Sequence, residues 1–168
     1  MATTMLPLDT NGLCERADRI VLAKAESQSA RWSDDHQTIY TEITLRVERS
    51  YKGALKTGDT VVVRSEGGSV DGIGMRVYGA ASFKIGEESV VFVEHRGLPS
   101  YVVGMAQGKL HVEARADGKR MVAPNLAEIH FTQAPTKDAG AARTLEEMEQ
   151  EIVKTVDAQK KTPARSGH

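Results

Sequence analysis

The segment from Thr38 to Tyr51 constrains the fold more than any other part of the chain. Its residues alternate strictly between two faces, with Ile39, Thr41, Ile43, Leu45 and Val47 on one and Tyr40, Glu42, Thr44, Arg46 and Glu48 on the other. A period of two residues predicts a β-strand with one buried face and one wet face. The segment is longer than an ordinary strand, so we expect it to bend or to serve two parts of a curled sheet.

Further strand segments follow at close spacing. They are residues 19–26, 60–64, 75–78, 89–94, 101–105, 109–113 and 120–122. The run from Ser89 to Glu94 is continuously apolar in its middle and is typical of a central strand. Turn signals separate the segments, among them the Asp-Gly pair within Ala116–Lys119. About eight strands with turns between them indicate a mainly-β barrel or sandwich rather than an α/β fold.

Two helices are predicted outside this series. The first is short and lies within Asp9–Asp18, where cap-competent residues precede an apolar set at helical spacing: Leu13, Cys14 and Ala17. The second begins with a capping box formed by Thr144 and Glu147. It carries an apolar stripe of four residues: Leu145, Met148, Ile152 and Val156. We expect this amphipathic helix to run to about Lys160 and to pack on the sheet.

The length of 168 residues indicates one domain. We expect a flexible N-terminus over residues 1–8 and the β-domain over 9–122. An extended connector then covers 123–143, the C-terminal helix 144–160, and a disordered tail 161–168.

Composition narrows the classes of partner. The 22 basic and 23 acidic residues give a net charge of −1, which argues against a broad nucleic-acid surface, so no nucleic-acid partner is expected. No apolar run approaches the ~20 residues of a membrane-spanning helix. Cys14 is the one cysteine, so it has no internal disulfide partner, and its place on the apolar side of a helix indicates a buried structural thiol.

No motif assigns catalysis, a metal or a cofactor. The five histidines form neither an H-x-x-x-H nor an H-E-x-x-H pattern, which zinc sites on helices use. The glycine-rich stretch Gly67–Gly74 lacks the Gly-Lys-Ser/Thr ending of a phosphate-binding loop. A serine-hydrolase G-x-S-x-G is also missing. We therefore expect a protein that is not an enzyme, with no catalytic residue, metal site or cofactor.

Two loops are the candidate binding surfaces, because loops carry function in barrels of this size. The first contains Trp32, Asp34, Asp35 and His36. Its carboxylates and imidazole are metal-ligand types, but adjacent residues rarely point at one ion, so a solvated hairpin tip is the favoured interpretation. The second loop is polar and glycine-rich and contains Gly67, Gly68, Asp71 and Gly72.

Several short phrases give the chain a family resemblance. A short helix with a cysteine and an Ala-Asp pair (Cys14–Asp18) leads into a strand with Ala-Lys (Ile20–Ser27), and the long strand ends in a Lys-Gly turn (Tyr51–Gly53). In these features, and in Phe83–Val93 and Tyr101–Val112, the chain resembles the netrin-like module of the tissue inhibitors of metalloproteinases. It also resembles a set of uncharacterised bacterial exported proteins, through three phrases: Arg16-Ala17-Asp18, Ile39-Tyr40-Thr41 and Ala106-Gln107-Gly108-Lys109.

The resemblance covers roughly Leu13 to Val112 and implies an OB-like antiparallel barrel with added strands, in a periplasmic or secreted setting. Residues Met1–Pro7 have no basic stretch followed by an apolar one, so an exported protein would have lost its signal peptide, and composition alone leaves a cytoplasmic protein open. The inhibitors place an N-terminal cysteine on the protease zinc. Residues Met1–Leu8 contain no cysteine, so that mechanism does not carry over.

The function favoured at this point is a non-enzymatic, exported module that binds another protein through the two loops or through an exposed strand edge. Three alternatives stay open. One is an inhibitor of a secreted metallopeptidase that acts through another surface. Another is a subunit of a surface assembly. The third is a metal-assisted hydrolase that uses Asp35, His36 and His111.

Overall fold

The computed structural model describes residues 2–96, 99–136 and 140–161. In chain order the elements are β1 (Thr3–Met5), α1 (Thr10–Arg16), β2 (Arg19–Trp32), β3 (Ile39–Lys52), β4 (Thr60–Glu66), β5 (Gly68–Val70), β6 (Ile73–Met75), β7 (Glu88–His95), β8 (Ser100–Val102), β9 (Lys109–Ala114), β10 (Arg120–Pro124), β11 (Ile129–Phe131), β12 (Arg143–Thr144) and α2 (Leu145–Lys161). A 3₁₀ turn, Met105–Gly108, precedes β9. Over these described ranges strands dominate and two α-helices flank them, as the sequence predicts.

Five of the strands close into a barrel. They follow one another in the order β7, β2, β3, β4 and β8, and β8 pairs back onto β7. All of these neighbours are antiparallel except β4 and β8, which pair in parallel through Arg64 and Tyr101. Strand β9 pairs with the first half of β7, and β10 and β12 continue from β9. The predicted mainly-β barrel is confirmed.

The long alternating segment is strand β3, and its buried residues are those of the predicted apolar face: Ile39, Ile43, Leu45 and Val47. It pairs with β2 along its whole length, from Ile20–Lys52 to Trp32–Ile39. Three irregularities interrupt this register, all between Ile20 and Ser27 of β2. Bulges of this kind bend a strand and increase its twist, which lets the long pair coil around the barrel.

Two apolar clusters lie on opposite faces of β2 and β7. Alternate residues of the two strands, including Val21, Val91 and Val93, pack in the barrel interior. The residues between them, including Leu22 and Phe92, face α1 and α2. Both strands are therefore buried on two faces, which explains the continuous apolar run of Ser89–Glu94.

Both helices begin at the predicted caps. The Asp9 carboxylate accepts from the Gly12 amide at 2.8 Å. The Thr144 hydroxyl accepts from the Glu147 amide at 3.1 Å. The four apolar residues of the predicted α2 stripe are all buried against the barrel: Leu145, Met148, Ile152 and Val156.

The structure differs from the sequence expectations at several segments. The expected strand 101–105 ends at Val102, and Met105 begins the 3₁₀ turn. Residues 1–8 were expected to be flexible, yet Thr3–Met5 forms β1 and pairs in parallel with β11. The expected connector 123–143 contains β11 and β12. The stretch from Gly67 to Gly74 forms most of a β5–β6 hairpin, and the expected strand 75–78 ends at Met75. Such segments are too short to show a period, and their pairing partners are set by the tertiary fold. The expected tail lies almost wholly outside the described residues.

Candidate functional site

The loop between β2 and β3 is held by its own side chains. The Asp35 carboxylate accepts from the Ser33 hydroxyl at 2.6 Å and from the Gln37 amide at 3.1 Å. These hydrogen bonds, that of Ser33 first, hold the pKa of Asp35 below its usual value. His36 adopts a left-handed conformation with φ of 55°, and its ring centroid lies 6.0 Å from that of Trp32. Asp35 therefore shapes the loop, and Asp34 next to it is exposed.

The glycines of the second loop are conformational requirements. Gly68 has φ of +141°, and a Cβ there would lie 2.6 Å from the Thr41 hydroxyl oxygen. At Gly67 a Cβ would lie 2.9 Å from the Met75 carbonyl oxygen. Asp71 and Gly72, with φ of 50° and 80°, form the tip of the hairpin, where a primed turn needs two positive φ angles. These four predicted binding residues thus set the shape of the hairpin and its close approach to β3.

The two loops meet at one end of the barrel. The Gly67 amide donates to the Ile39 carbonyl at 2.8 Å, and the Ile39 amide donates to the Met75 sulfur at 3.4 Å. Between the β2–β3 loop and the segment after β6 lies a cleft of about 430 Å³. We call it the Arg64 cleft, and its lining includes Ser33, Asp34, Thr38, Tyr40, Arg64, Glu66, Val77 and Tyr101. Trp32, His36 and the four loop residues Gly67, Gly68, Asp71 and Gly72 surround this end of the barrel without lining the cleft.

Arginine and tyrosine alternate across the floor of the Arg64 cleft. The Arg64 guanidinium carbon lies 3.7 Å from the centroid of the Tyr40 ring, a cation–π distance. Tyr101 is the strand-register partner of Arg64. Arg96 in turn lies over the Tyr101 ring at 5.6 Å. Tyr40, Arg64 and Tyr101 form a strip across β3, β4 and β8, and Arg96, just after β7, extends this strip beyond the residues that line the cleft.

Arg96 is held by Glu94 on β7, on the side of Tyr101 opposite to Arg64. Its guanidinium donates to the Glu94 carboxylate at 2.6 Å. Glu94 is buried and also accepts from Arg16 on α1 at 3.2 Å. This shared carboxylate fixes the outer end of the strip to the barrel and to the N-terminal helix.

No sequence pattern predicted this arginine–tyrosine strip. Tyr40 lies on the wet face of the alternating segment, which is the one available signal. The position of Arg64 beside Tyr101 depends on the parallel pairing of β4 with β8, which local patterns do not reveal.

A second charged cluster lies between β9 and the turn before β7. Lys109 donates to the Ser82 carbonyl at 2.6 Å and also contacts the Glu87 carboxylate. The His111 ring lies 3.0 Å from the same carboxylate. Burial raises the pKa of Glu87, but the hydrogen bonds from Lys109 and from the Lys84 amide outweigh it, and the pKa is below its usual value.

The residues of the metal-hydrolase alternative are not brought together. His111 pairs in register with Ser89 on β7, and Ser89 pairs in register with Ala23 on β2. Asp35 and His36 come after Trp32, at the far end of β2. The distance along the strand is roughly 30 Å at the usual rise per residue. Within the described ranges, no three His, Cys, Asp or Glu side chains are placed to hold a metal ion.

Cys14 is a free, buried thiol on α1. Burial raises its pKa from 9.0 to about 11. The Lys52 ammonium donates to the Cys14 carbonyl at 2.8 Å and ties α1 to the end of β3. The predicted burial is confirmed, and the high pKa disfavours the reactive thiolate.

Comparison with known proteins gives no family. The chain matches no family model, and no curated protein sequence matches it. Among the helices of the described residues, none combines the length and the apolar character needed to cross a membrane.

Proposed function

We propose that this protein is a non-enzymatic binding module that holds a segment of another protein in the Arg64 cleft. The observation that carries the proposal is that the β2–β3 loop and the segment after β6, far apart in sequence, line one cleft whose floor holds Arg64 between Tyr40 and Tyr101. Arginine and tyrosine are enriched where proteins bind one another, because both offer apolar area together with hydrogen-bonding groups.

The chemistry of the cleft favours binding over catalysis. The Ser33 hydroxyl donates to Asp35 and also accepts from the Thr38 amide, so both of its roles are structural. The charged residues that line the cleft are Arg64, Asp34 and Glu66. An arginine keeps its proton at any ordinary pH and serves as a donor rather than as a base.

We further propose that the barrel is of the OB type and that the chain is netrin-like and extracytoplasmic. In chain order the five barrel strands are β2, β3, β4, β7 and β8, which we count as first to fifth. Around the barrel, the first strand pairs with the second, the second with the third, the third with the fifth, the fifth with the fourth, and the fourth with the first. This order and the parallel third–fifth pairing support the OB assignment. Loops after the first and fourth strands, with the second and third strands, form the binding face of such barrels. The netrin-like and extracytoplasmic parts rest on the sequence resemblance.

Site-directed photo-crosslinking tests the binding proposal. A photoreactive amino acid replaces Val77 or Thr38, which line the cleft from two segments far apart in sequence. The matched control is Lys154 on the exposed face of α2. The labelled proteins are irradiated in an extracytoplasmic extract of the source organism.

The expected result is one partner, identified by mass spectrometry, that crosslinks to both cleft positions and not to Lys154. Equal capture at all three positions, or adducts at none, would contradict the proposal. If the partner is a zinc peptidase, a direct inhibition assay distinguishes simple binding from inhibition.

A further inference from the structure

Among the residues that the structure describes, Arg64 differs from most arginines in having no carboxylate partner. Eight arginines of the described chain form an ion pair with Asp or Glu: Arg16, Arg31, Arg46, Arg49, Arg76, Arg96, Arg120 and Arg143. Arg64 is half-buried in the cleft, and its Nε is covered from solvent without any acceptor in the described structure. The guanidinium therefore has a donor that the described residues leave unpaired and no carboxylate partner, so a ligand carboxylate in the cleft would supply the ionic partner that it lacks.

The Arg64 side chain is also held in place. Its guanidinium is stacked on Tyr40, and its strand position is fixed between Glu42 and Tyr101 by the pairing of β4 with its two neighbours. A planar guanidinium held by stacking loses little freedom when it binds and presents a fork that matches the two oxygens of a carboxylate.

The rim of the cleft carries the opposite charge. Asp34 and Glu66 line the same cleft as Arg64, and within the described residues neither carboxylate forms an ion pair or a side-chain hydrogen bond. Two free carboxylates and one cation give the cleft a net negative charge, which repels a polyanion such as a nucleic acid. The pattern complements a segment that bears one carboxylate next to a basic residue.

From this charge pattern we infer the chemistry of the partner: the Arg64 cleft binds a peptide segment in which an acidic residue is adjacent to a lysine or arginine. The acidic side chain lies on the Arg64 guanidinium, and the basic side chain contacts Asp34 or Glu66. This inference rests on the proposed function, since it names the partner chemistry of the same cleft.

Selection from a random peptide library displayed on phage tests the inference with the full chain as bait. We expect enriched peptides to share an acidic residue beside a basic one. For a selected peptide, changing its acidic residue to the amide is expected to weaken binding roughly tenfold or more, as for a hydrogen bond to a charged group. The measurement is fluorescence anisotropy of the labelled peptide.

Protein variants locate the contact. Arg64→Met is expected to lose the same factor and to make the acidic and amide peptides bind alike. Arg64→Lys keeps the charge and restores part of the difference. Arg115→Met is the control, because Arg115 is exposed in the turn between β9 and β10, outside the cleft. The Nε–H resonance of Arg64 is expected to shift with the acidic peptide and to stay in place with the amide peptide, which shows the contact without any protein substitution.

The outcomes separate this inference from the proposed function. Peptides that bind Arg64→Met normally but lose binding in Val77→Glu would overturn the carboxylate contact and leave the cleft as a binding site. Peptides indifferent to both variants, or no enrichment at all, would overturn both. Arg64-dependent binding of a labelled single-stranded oligonucleotide without peptide binding would assign the cleft to nucleic acid and overturn the inference.

Discussion

Arg49 on β3 and Glu149 on α2 are joined by two hydrogen bonds, at 2.8 and 2.9 Å, from one guanidinium nitrogen to both carboxylate oxygens. The Tyr51 hydroxyl donates to the same carboxylate, so Glu149 on the helix accepts hydrogen bonds from two residues of strand β3. The Glu149 side chain is largely covered, at 18% exposure, while Arg49 is 58% exposed. This contact orients the C-terminal helix on the barrel beyond what its apolar stripe alone specifies.

Replacing Glu149 by Gln is expected to lower the free energy of unfolding by about 1 kcal/mol, because a charge-assisted bond to a partly buried tyrosine is weakened. Urea denaturation followed by circular dichroism measures the change. Glu146→Gln, at an exposed position of the same helix, is the control and should change stability little. Equal effects of the two substitutions would show that the Glu149 contact is not stabilising.

Gly68→Ala is expected to destabilise the protein by about 2 kcal/mol or more, since its Cβ would clash with Thr41 at a left-handed φ. Gly74 is the matched control in the same hairpin, because a Cβ there meets no atom within 4 Å. Thermal unfolding of Gly68→Ala and Gly74→Ala gives the comparison. A similar loss in both variants would mean that the hairpin does not approach β3 as closely as described.

The Glu87–Lys109 pair makes stability depend on acid pH. The pKa of Glu87 is lower in the folded protein than its ordinary 4.5, so its contribution is present above that value and is lost as pH falls below it. Urea unfolding at a series of pH values is expected to show a smaller acid-side loss in Glu87→Gln than in the parent. If the unfolding free energy of Glu87→Gln fell with acid pH as steeply as that of the parent, Glu87 would not be the source of the acid-pH dependence.

Lys109→Met tests the same pair from the other side. The Lys109 and Glu87 side chains are only 13% and 9% exposed, so removing the cation leaves a buried carboxylate without its cationic partner. We expect a loss of about 3 kcal/mol near neutral pH, partly regained when the solution is acidified enough to protonate Glu87. His111→Gln, at the exposed edge of the cluster, should cost much less. A Lys109→Met variant whose stability is flat with pH would contradict this account.

Cys14 makes stability depend on alkaline pH. Its pKa is raised from 9.0 to about 11, so the folded protein retains a proton that the unfolded chain loses between these values. The contribution of this group is therefore full below pH 9 and falls as pH rises toward 11. In Cys14→Ala the decline over this interval should be shallower. In the parent protein we also expect the thiol to resist an aromatic disulfide reagent at pH 8 until urea unfolds the chain.

Local patterns predicted those parts of the fold that repeat over several residues. The alternation around Ile43 and the stripe around Ile152 both have a period that burial on one face imposes, so strand β3 and helix α2 were found with their correct buried faces. The hairpin after Gly68 was expected as a loop, because three-residue strands carry no period.

The candidate site was predicted only in part for a related reason. The sequence pointed to Asp34 and Gly68 because loops and glycines are visible in one dimension. It did not point to Arg64 and Tyr101, which are brought side by side by a parallel strand pair of the closed barrel. The charge of Arg64 becomes informative only when the partners of the other arginines are known.

The parallel pairing of β1 with β11 has a consequence for the order of folding. Thr3 aligns with Ile129, so the entire barrel lies between the two partners along the chain. Joining the ends of so long a loop is entropically costly until the intervening strands have assembled. We therefore expect β1 to add last during refolding and to detach first, which makes the amide protons of Thr3–Met5 exchange sooner than those of β2 while the barrel stays intact.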